Sequence, residues 1–178
     1  MEKRILIAGF GGQGVLLMGQ LLSKAGMHEN MQVCWMPSYG PEMRGGEANC
    51  GVVLADEPIG SPLVTEPDVA ILMNRPSLDK FEPSIAPGGT LLYNSSLIDA
   101  EPSRTDIKVY DVPCNDIAVK IGNARVANMV MLGAFNALTE LLPAESLLEA
   151  LRETLGSGKE HLIPVNQQAL AAGAESVV

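Results

Sequence analysis

Apolar residues along this chain follow two rhythms. Over the first two-thirds they come in short runs, at residues 4–8 (RILIA), 32–36, 48–55, 68–73, 89–93 and 107–111. Turn residues separate them, among them Asp56-Glu57-Pro58, Glu66-Pro67-Asp68 and Pro87-Gly88-Gly89. Such runs predict strands, and the three with little polar alternation predict strands covered on both faces. After the first run the period lengthens. Val15, Met18, Leu22 and Ala25 mark one face of a helix from 15 to about 27, widened by Leu17 and Leu21. Gln20, Ser23, Lys24 and His28 are assigned to its wetter side and Gly26 to its end. A short helix is expected over 77–84, with Pro76 near its start.

The last third is helical. Asn115 or Asp116 caps a helix to Ile121, which Gly122 closes with Lys120 in the final turn. The longest helix is placed at 124–142, with a stripe of Val126, Val130, Gly133, Ala134, Ala137, Leu138 and Leu141. Pro143 opens another helix, with Leu147, Leu148, Leu151 and Leu155 inside, and a final one follows from Pro164. No repeat, low-complexity tract or linker interrupts the chain, so residues 1–178 are read as one domain.

The junction of the first strand and helix carries the first chemical signal. Gly9 to Gly14 reads GFGGQG, which satisfies G-x-G-x-x-G between a strand and a helix. In that setting Gly9 allows the tight turn, Gly11 lets backbone approach a phosphate, and Gly14 lets helix and sheet pack closely. Gly12 and Gln13 lie at the same helix N-terminus, where free N–H groups and a partial positive charge favour an anion. The fold class that follows is α/β and Rossmann-like, a mostly parallel twisted sheet flanked by helices. A nicotinamide site is disfavoured. The second strand ends Met36-Pro37-Ser38, with neither the ribose-binding carboxylate nor an arginine for a 2′-phosphate. A tight turn without a ligand remains the plain alternative.

The second signal is the loop SYGPEMRGG at 38–46. Gly45-Gly46 can form a concave nest of N–H groups, and Arg44 can grip a carboxylate or phosphate with its planar fork. At the carboxyl ends of strands in an open parallel sheet, this loop and the glycine loop line one crevice. An internal ion pair of Arg44 with Glu42 or Glu47 is the alternative. A third signal is Arg125 at the start of the longest helix and Glu140 at its end, both the wrong sign for the helix dipole. Arg125, with Asn123 and Asn128, faces either a bound anion or a partner's carboxylate, or else solvent.

Composition narrows the classes. The hydrophobic fraction is 47% and the aromatic fraction 4%, so aliphatic residues and nine Met fill the core. A net charge of −9 argues against nucleic acid. No run is long enough to cross a bilayer, and a core strand beginning by residue 4 leaves no room for a signal peptide, which makes the cytoplasm the expectation. Cys34, Cys50 and Cys114 are too few for a four-cysteine cluster, and His28 and His161 are too far apart in sequence for a zinc site. No metal or redox centre of its own is expected.

With these motifs in view, the chain resembles the gamma subunit of 2-oxoacid:ferredoxin oxidoreductases. The likeness rests on GFGGQGV at 9–15, SYGPEMRGG followed by Ala48-Asn49-Cys50, the Pro58-Ile59 and Ser61-Pro62 turn, and GNARVANMVMLGA at 122–134. The wording of the second loop is closer to the 2-oxoglutarate and branched-chain (ketoisovalerate) members, although Glu47 stands where the family pattern has Thr. The resemblance implies a subunit that is not catalytic alone. Such complexes decarboxylate a 2-oxoacid oxidatively and release an acyl-CoA. Thiamine diphosphate and iron–sulfur clusters are held by alpha, beta and ferredoxin-like delta subunits that reduce ferredoxin. It further implies that Gly9, Gly11, Gly12, Gln13, Gly14, Tyr39 and Arg44 face coenzyme A. Glu42, Gly45, Gly46, Arg125 and Asn128 would meet an anion or a partner subunit. A purely structural module and a stand-alone nucleotide-binding protein are the competing readings. A bare Met-rich face would allow a homodimer in isolation.

Overall fold

Six strands, β1 (Glu2–Phe10), β2 (Gln32–Tyr39), β3 (Glu47–Ala55), β4 (Val69–Leu72), β5 (Thr90–Asn94) and β6 (Lys108–Val112), form one sheet in the order β2-β3-β1-β4-β5-β6. They are drawn from a computed structural model that describes residues 1–40 and 46–178. The four strands β1, β4, β5 and β6 pair in parallel. Strand β3 runs against both β1 and β2, so it alone is reversed. The sheet is therefore mostly parallel, and β2–β3 is a hairpin rather than a crossover. That corrects the expectation of parallel strands on either side of the second loop, but not its location. Because β2 points the same way as β1, the hairpin's connection still lies at the carboxyl end of β1. Two backbone hydrogen bonds fix it there, Gly40 N–H to Glu47 O (2.7 Å) and Gly11 N–H to Gly46 O (2.9 Å).

Helices α1 (Val15–His28), α3 (Cys114–Ile121), α4 (Ala127–Thr139), α5 (Ala144–Leu155) and α6 (Ile163–Glu175) share one core with Ile5, Ile7, Val52 and Leu54. Helix α2 (Arg75–Phe81) covers the opposite face, where Leu78 and Ile85 pack on Ala8, Ala70, Leu72 and Leu91. All four residues of β4 are buried, as an unbroken apolar run requires. Met18, Leu21 and Leu22 of α1 are fully buried, each contributing roughly 1.5–3 kcal/mol by removal from water. No helix among the described residues is long and apolar enough to cross a membrane.

Several helix limits differ from the sequence expectation for local steric reasons. Helix α1 runs through Gly26 to His28, because Gly26 is a contact point and not a stop: a Cβ there would lie 2.7 Å from Leu54 Cδ2. Ser23 is buried on the sheet side, its hydroxyl donating to Gly19 O (2.8 Å). Helix α2 begins at Arg75, two residues earlier than expected, because the Asn74 carboxamide accepts the Ser77 N–H (2.9 Å). A 3-10 turn (Glu82–Ser84) completes the span. Helix α3 begins at Cys114 with Pro113 at its cap, so neither Asn115 nor Asp116 caps it. The expected longest helix is a 3-10 turn (Ala124–Val126) followed by α4, which stops at Thr139 where Glu140 turns left-handed (φ 48°). Asn136 holds that stop, donating to Leu142 O (2.9 Å) and accepting its N–H (3.3 Å). Helix α1, with 14 residues, is the longest described.

Candidate functional site

The chain leaves β1 through α1 toward β2 on one side, and leaves β4 through α2 toward β5 on the other. The carboxyl ends of β1 and β4 therefore flank a topological switch point, and the glycine loop sits on it. Gly12 (φ 97°) and Gly14 (φ 75°) are both left-handed, which turns the chain sharply from β1 into α1. Gly14 has a second constraint: a Cβ there would lie 2.3 Å from Asn128 Nδ2. At Gly9 a Cβ would meet Gln13 Oε1 at 2.5 Å and Met73 Cβ at 2.9 Å. The loop is thus squeezed between α4 and the end of β4.

Its polar groups divide into struts and open donors. The Gln13 side chain is a strut. Its Oε1 accepts from Phe10 N–H (2.7 Å) and Asn74 Nδ2 (3.5 Å), and its Nε2 donates to Met73 O (3.3 Å). The N–H groups of Gly11 and Gln13 are also committed, to Gly46 O and Phe10 O. The first intrahelical bond of α1 is Met18 N–H to Gly14 O (3.0 Å), which leaves the N–H groups of Val15, Leu16 and Leu17 ahead of it. No acidic residue lies in that first turn.

Two concavities flank the loop. One, about 270 Å³, is bounded by Phe10, Gly12, the first turn of α1, Tyr39 and Ala48. Tyr39 is 73% exposed beside it. The other, about 110 Å³, is lined by Gly12, Gln13, Asn115, Arg125 and Asn128 among others. Gly9, Gly11, Gly12, Gln13, Gly14, Gly46 and Tyr39 therefore gather at one edge of the sheet, with Arg125 and Asn128 on the far side of the glycine loop. Glu42, Arg44 and Gly45 lie outside the described residues. Sequence reasoning missed Asn74 and Asn94. Asn94 Nδ2 donates to Asn115 Oδ1 (2.8 Å) and to Met73 O (3.4 Å), so carboxamides tie the ends of β4, β5 and α3 together. Only the Asn74-Arg75-Pro76 order, with Pro in the first turn, hinted at the first of these.

Thiol chemistry has little footing among the described residues. Burial pushes the Cys50 thiol up to about 11 and raises the Cys114 thiol as well, so both stay protonated near neutrality. Among the described residues no cluster of His, Cys, Asp and Glu has the arrangement to hold a metal ion.

The fold and site define an α/β protein with a glycine loop at its switch point and open donors at one helix start. The chain belongs to the pyruvate ferredoxin/flavodoxin oxidoreductase family, whose model matches residues 4–176. It is 48% identical over 175 residues to the ketoisovalerate oxidoreductase subunit VorA of Methanothermobacter thermautotrophicus, covering 98% of this chain and 36% of that protein. It thus spans about a third of the length of the VorA relatives it matches. The fold is similar to that of the gamma subunit of a keto/oxoacid ferredoxin oxidoreductase from Geobacter sulfurreducens (TM-score 0.83, 28% identity, 98% of both chains). It is also similar to part of the 2-oxoglutarate:ferredoxin oxidoreductase from Magnetococcus marinus, solved with 2-oxoglutarate, coenzyme A and succinyl-CoA bound. There the TM-score is 0.90 at 25% identity, over 99% of this chain and 31% of the other.

Proposed function

We propose that residues 1–178 form one gamma-type domain acting as a subunit of a cytoplasmic, multisubunit 2-oxoacid:ferredoxin oxidoreductase. The complex oxidatively decarboxylates a branched-chain 2-oxoacid or 2-oxoglutarate to its acyl-CoA. This chain contributes to coenzyme A binding and to closing the active site, and holds no cofactor alone. Thiamine diphosphate and iron–sulfur clusters reside in alpha, beta and ferredoxin-like delta partners, which pass electrons to ferredoxin. The 48% identity to a ketoisovalerate oxidoreductase subunit favours the branched-chain substrate.

The observation that carries this reading is the character of the cleft beside Tyr39. It offers the N-terminal donors of α1 to a phosphorylated ligand, and apart from the exposed Tyr39 hydroxyl its described lining carries no titratable side chain. At about 270 Å³ its described part falls just short of the roughly 300–1,000 Å³ of complete small-molecule sites. The bound coenzyme A of the Magnetococcus structure supports the choice of ligand.

The test is steady-state kinetics of the assembled complex carrying Tyr39→Ala or Arg44→Ala. Loss of a charge-assisted contact at Arg44 is expected to raise the apparent KM for CoA by roughly tenfold or more, with the KM for the 2-oxoacid unchanged. An unchanged KM for CoA in both variants removes this chain from the coenzyme site.

A further inference from the structure

We infer that the free edge of β2 is where a second copy of this chain adds, β2 against β2 about a two-fold axis, so that one sheet runs through both copies. The inference concerns the edge strand alone and does not depend on what the Tyr39 cleft holds.

The sheet has two edges, β2 and β6, and they differ. Strand β6 has five residues and carries Lys108 and Asp111, charges of the kind that guard an edge against further pairing. Strand β2 has eight residues, QVCWMPSY, and no charge. Its apolar side chains reach solvent, Met36 being 44% exposed and Tyr39 73%. The main chain is open as well. Gly40 N–H donates to Glu47 O, continuing the register that pairs Tyr39 with Ala48 and Met36 with Gly51. Bonded and unbonded pairs alternate along an antiparallel ladder, so Cys34, Met36 and Ser38 are the residues bonded to β3. The N–H groups of Val33, Trp35 and Tyr39, and the carbonyls of these residues and of Pro37, therefore point away from the sheet. Pro37 stands where its missing donor costs no bond within the chain.

Self-complementarity selects the occupant. With two antiparallel copies of β2 centred on Met36, Val33 of each lies opposite Tyr39 of the other, and the pair exchanges both main-chain hydrogen bonds. Trp35 lies opposite Pro37 and donates its N–H to the Pro37 carbonyl. The two Met36 residues meet at the axis as an unbonded pair, with Cα atoms about 4.5 Å apart. Exposed apolar side chains then meet apolar ones across the axis, Met36 on Met36 and Tyr39 on Val33. Charge favours the same arrangement. Two chains of net charge −9 repel across most of their surfaces, and an uncharged strand lets them meet without opposing carboxylates. The helices leave room. Gly19 and Gly26 seat α1 on β3, against Cys50 and Leu54. Two such helices are separated by three strand spacings, roughly 14 Å, whereas helices in contact are roughly 8–10 Å apart.

The experiment is sedimentation equilibrium of the full chain over a concentration series, with disulfide trapping as a second arm. A reversible dimer is expected. Met36→Lys sets like charges against each other at the axis and should raise the dimer dissociation constant by roughly tenfold or more. Met36 is exposed, so the change leaves the fold intact. Val119→Lys, at an exposed apolar residue of α3, should dimerise as the parent does. In a Cys34→Ser background, Met36→Cys should form an interchain disulfide on oxidation with diamide, because its Cα separation lies within disulfide reach. Ser38→Cys should not, since the two copies of residue 38 stand roughly 14 Å apart in this register. A monomer at every concentration, a dimer indifferent to Met36→Lys, or trapping at residue 38 in place of 36 overturns the inference. So does a β2 edge whose amides gain protection from hydrogen exchange only when other subunits are added, which would give the strand to a different polypeptide. A raised KM for CoA in the Arg44 variant would still stand in each case, so the two readings fail separately.

Discussion

Gly14 is under two independent constraints. Its φ of 75° disfavours any residue with a Cβ, and Asn128 Nδ2 occupies the space that a Cβ would take. Gly12 has a comparable φ of 97° but open space around it. Gly12→Ala should therefore destabilise by about 1–2 kcal/mol, the backbone penalty alone. Gly14→Ala should cost about 2–5 kcal/mol, because overpacking adds to that penalty. Urea denaturation of the two variants checks the difference, and equal losses would mean that Asn128 does not press on the loop. The glycine spacing was legible in sequence because a strand–turn–helix junction constrains only neighbouring residues. The duty of Gln13 was not. Its partners Met73 and Asn74 lie 60 and 61 residues away, and only the parallel pairing of β1 with β4 brings them within reach.

At the scale of elements, strands were easier to foresee than helix ends. The buried runs of β4 and β5 follow directly from apolar composition, whereas the direction of β3 depends on a hairpin whose two strands read alike from either end. Helix ends depend on contacts that periodicity does not encode. The apolar stripe of α4 continues in sequence to Leu141, yet the helix stops at Thr139 because Asn136 folds back onto Leu142. The stripe's small residues serve tight contact with α6 instead. A Cβ on Gly133 would lie 2.0 Å from Leu170 O, and one on Gly173 would lie 1.8 Å from Val130 O. Glu140 bears the strain of the stop, with φ 48° and a carboxylate at the negative end of the helix dipole. Glu140→Gly should accordingly stabilise the chain by about 1 kcal/mol, seen as a raised Tm. A lowered Tm would show that Glu140 makes a contact worth more than its backbone strain.

At the scale of the molecule, the C-terminal edge of the sheet carries two concavities on either side of one loop, and among the described residues no cluster of His, Cys, Asp and Glu able to hold a metal ion. The length relations bear on how this fold is used. The Geobacter gamma subunit is matched end to end, while VorA and the Magnetococcus chain are each about three times as long as the matched region. The same fold thus occurs both as a separate chain and as part of a longer one. The sequence could show the missing ribose carboxylate and the lack of metal ligands, and so point away from an autonomous redox enzyme. It could not show that β2 and β3 form a hairpin, since strand direction is decided by pairing across the whole sheet.

The most direct measurement is anaerobic co-purification of the tagged chain from its native cells, with mass spectrometry of its companions and an assay of CoA-dependent 2-oxoacid oxidation. The account predicts recovery of a thiamine-diphosphate subunit and an iron–sulfur subunit. It also predicts an activity that reduces ferredoxin with a branched-chain 2-oxoacid or 2-oxoglutarate and stops when CoA is omitted. Recovery of this chain alone, as a monomer or homodimer without that activity, would contradict it.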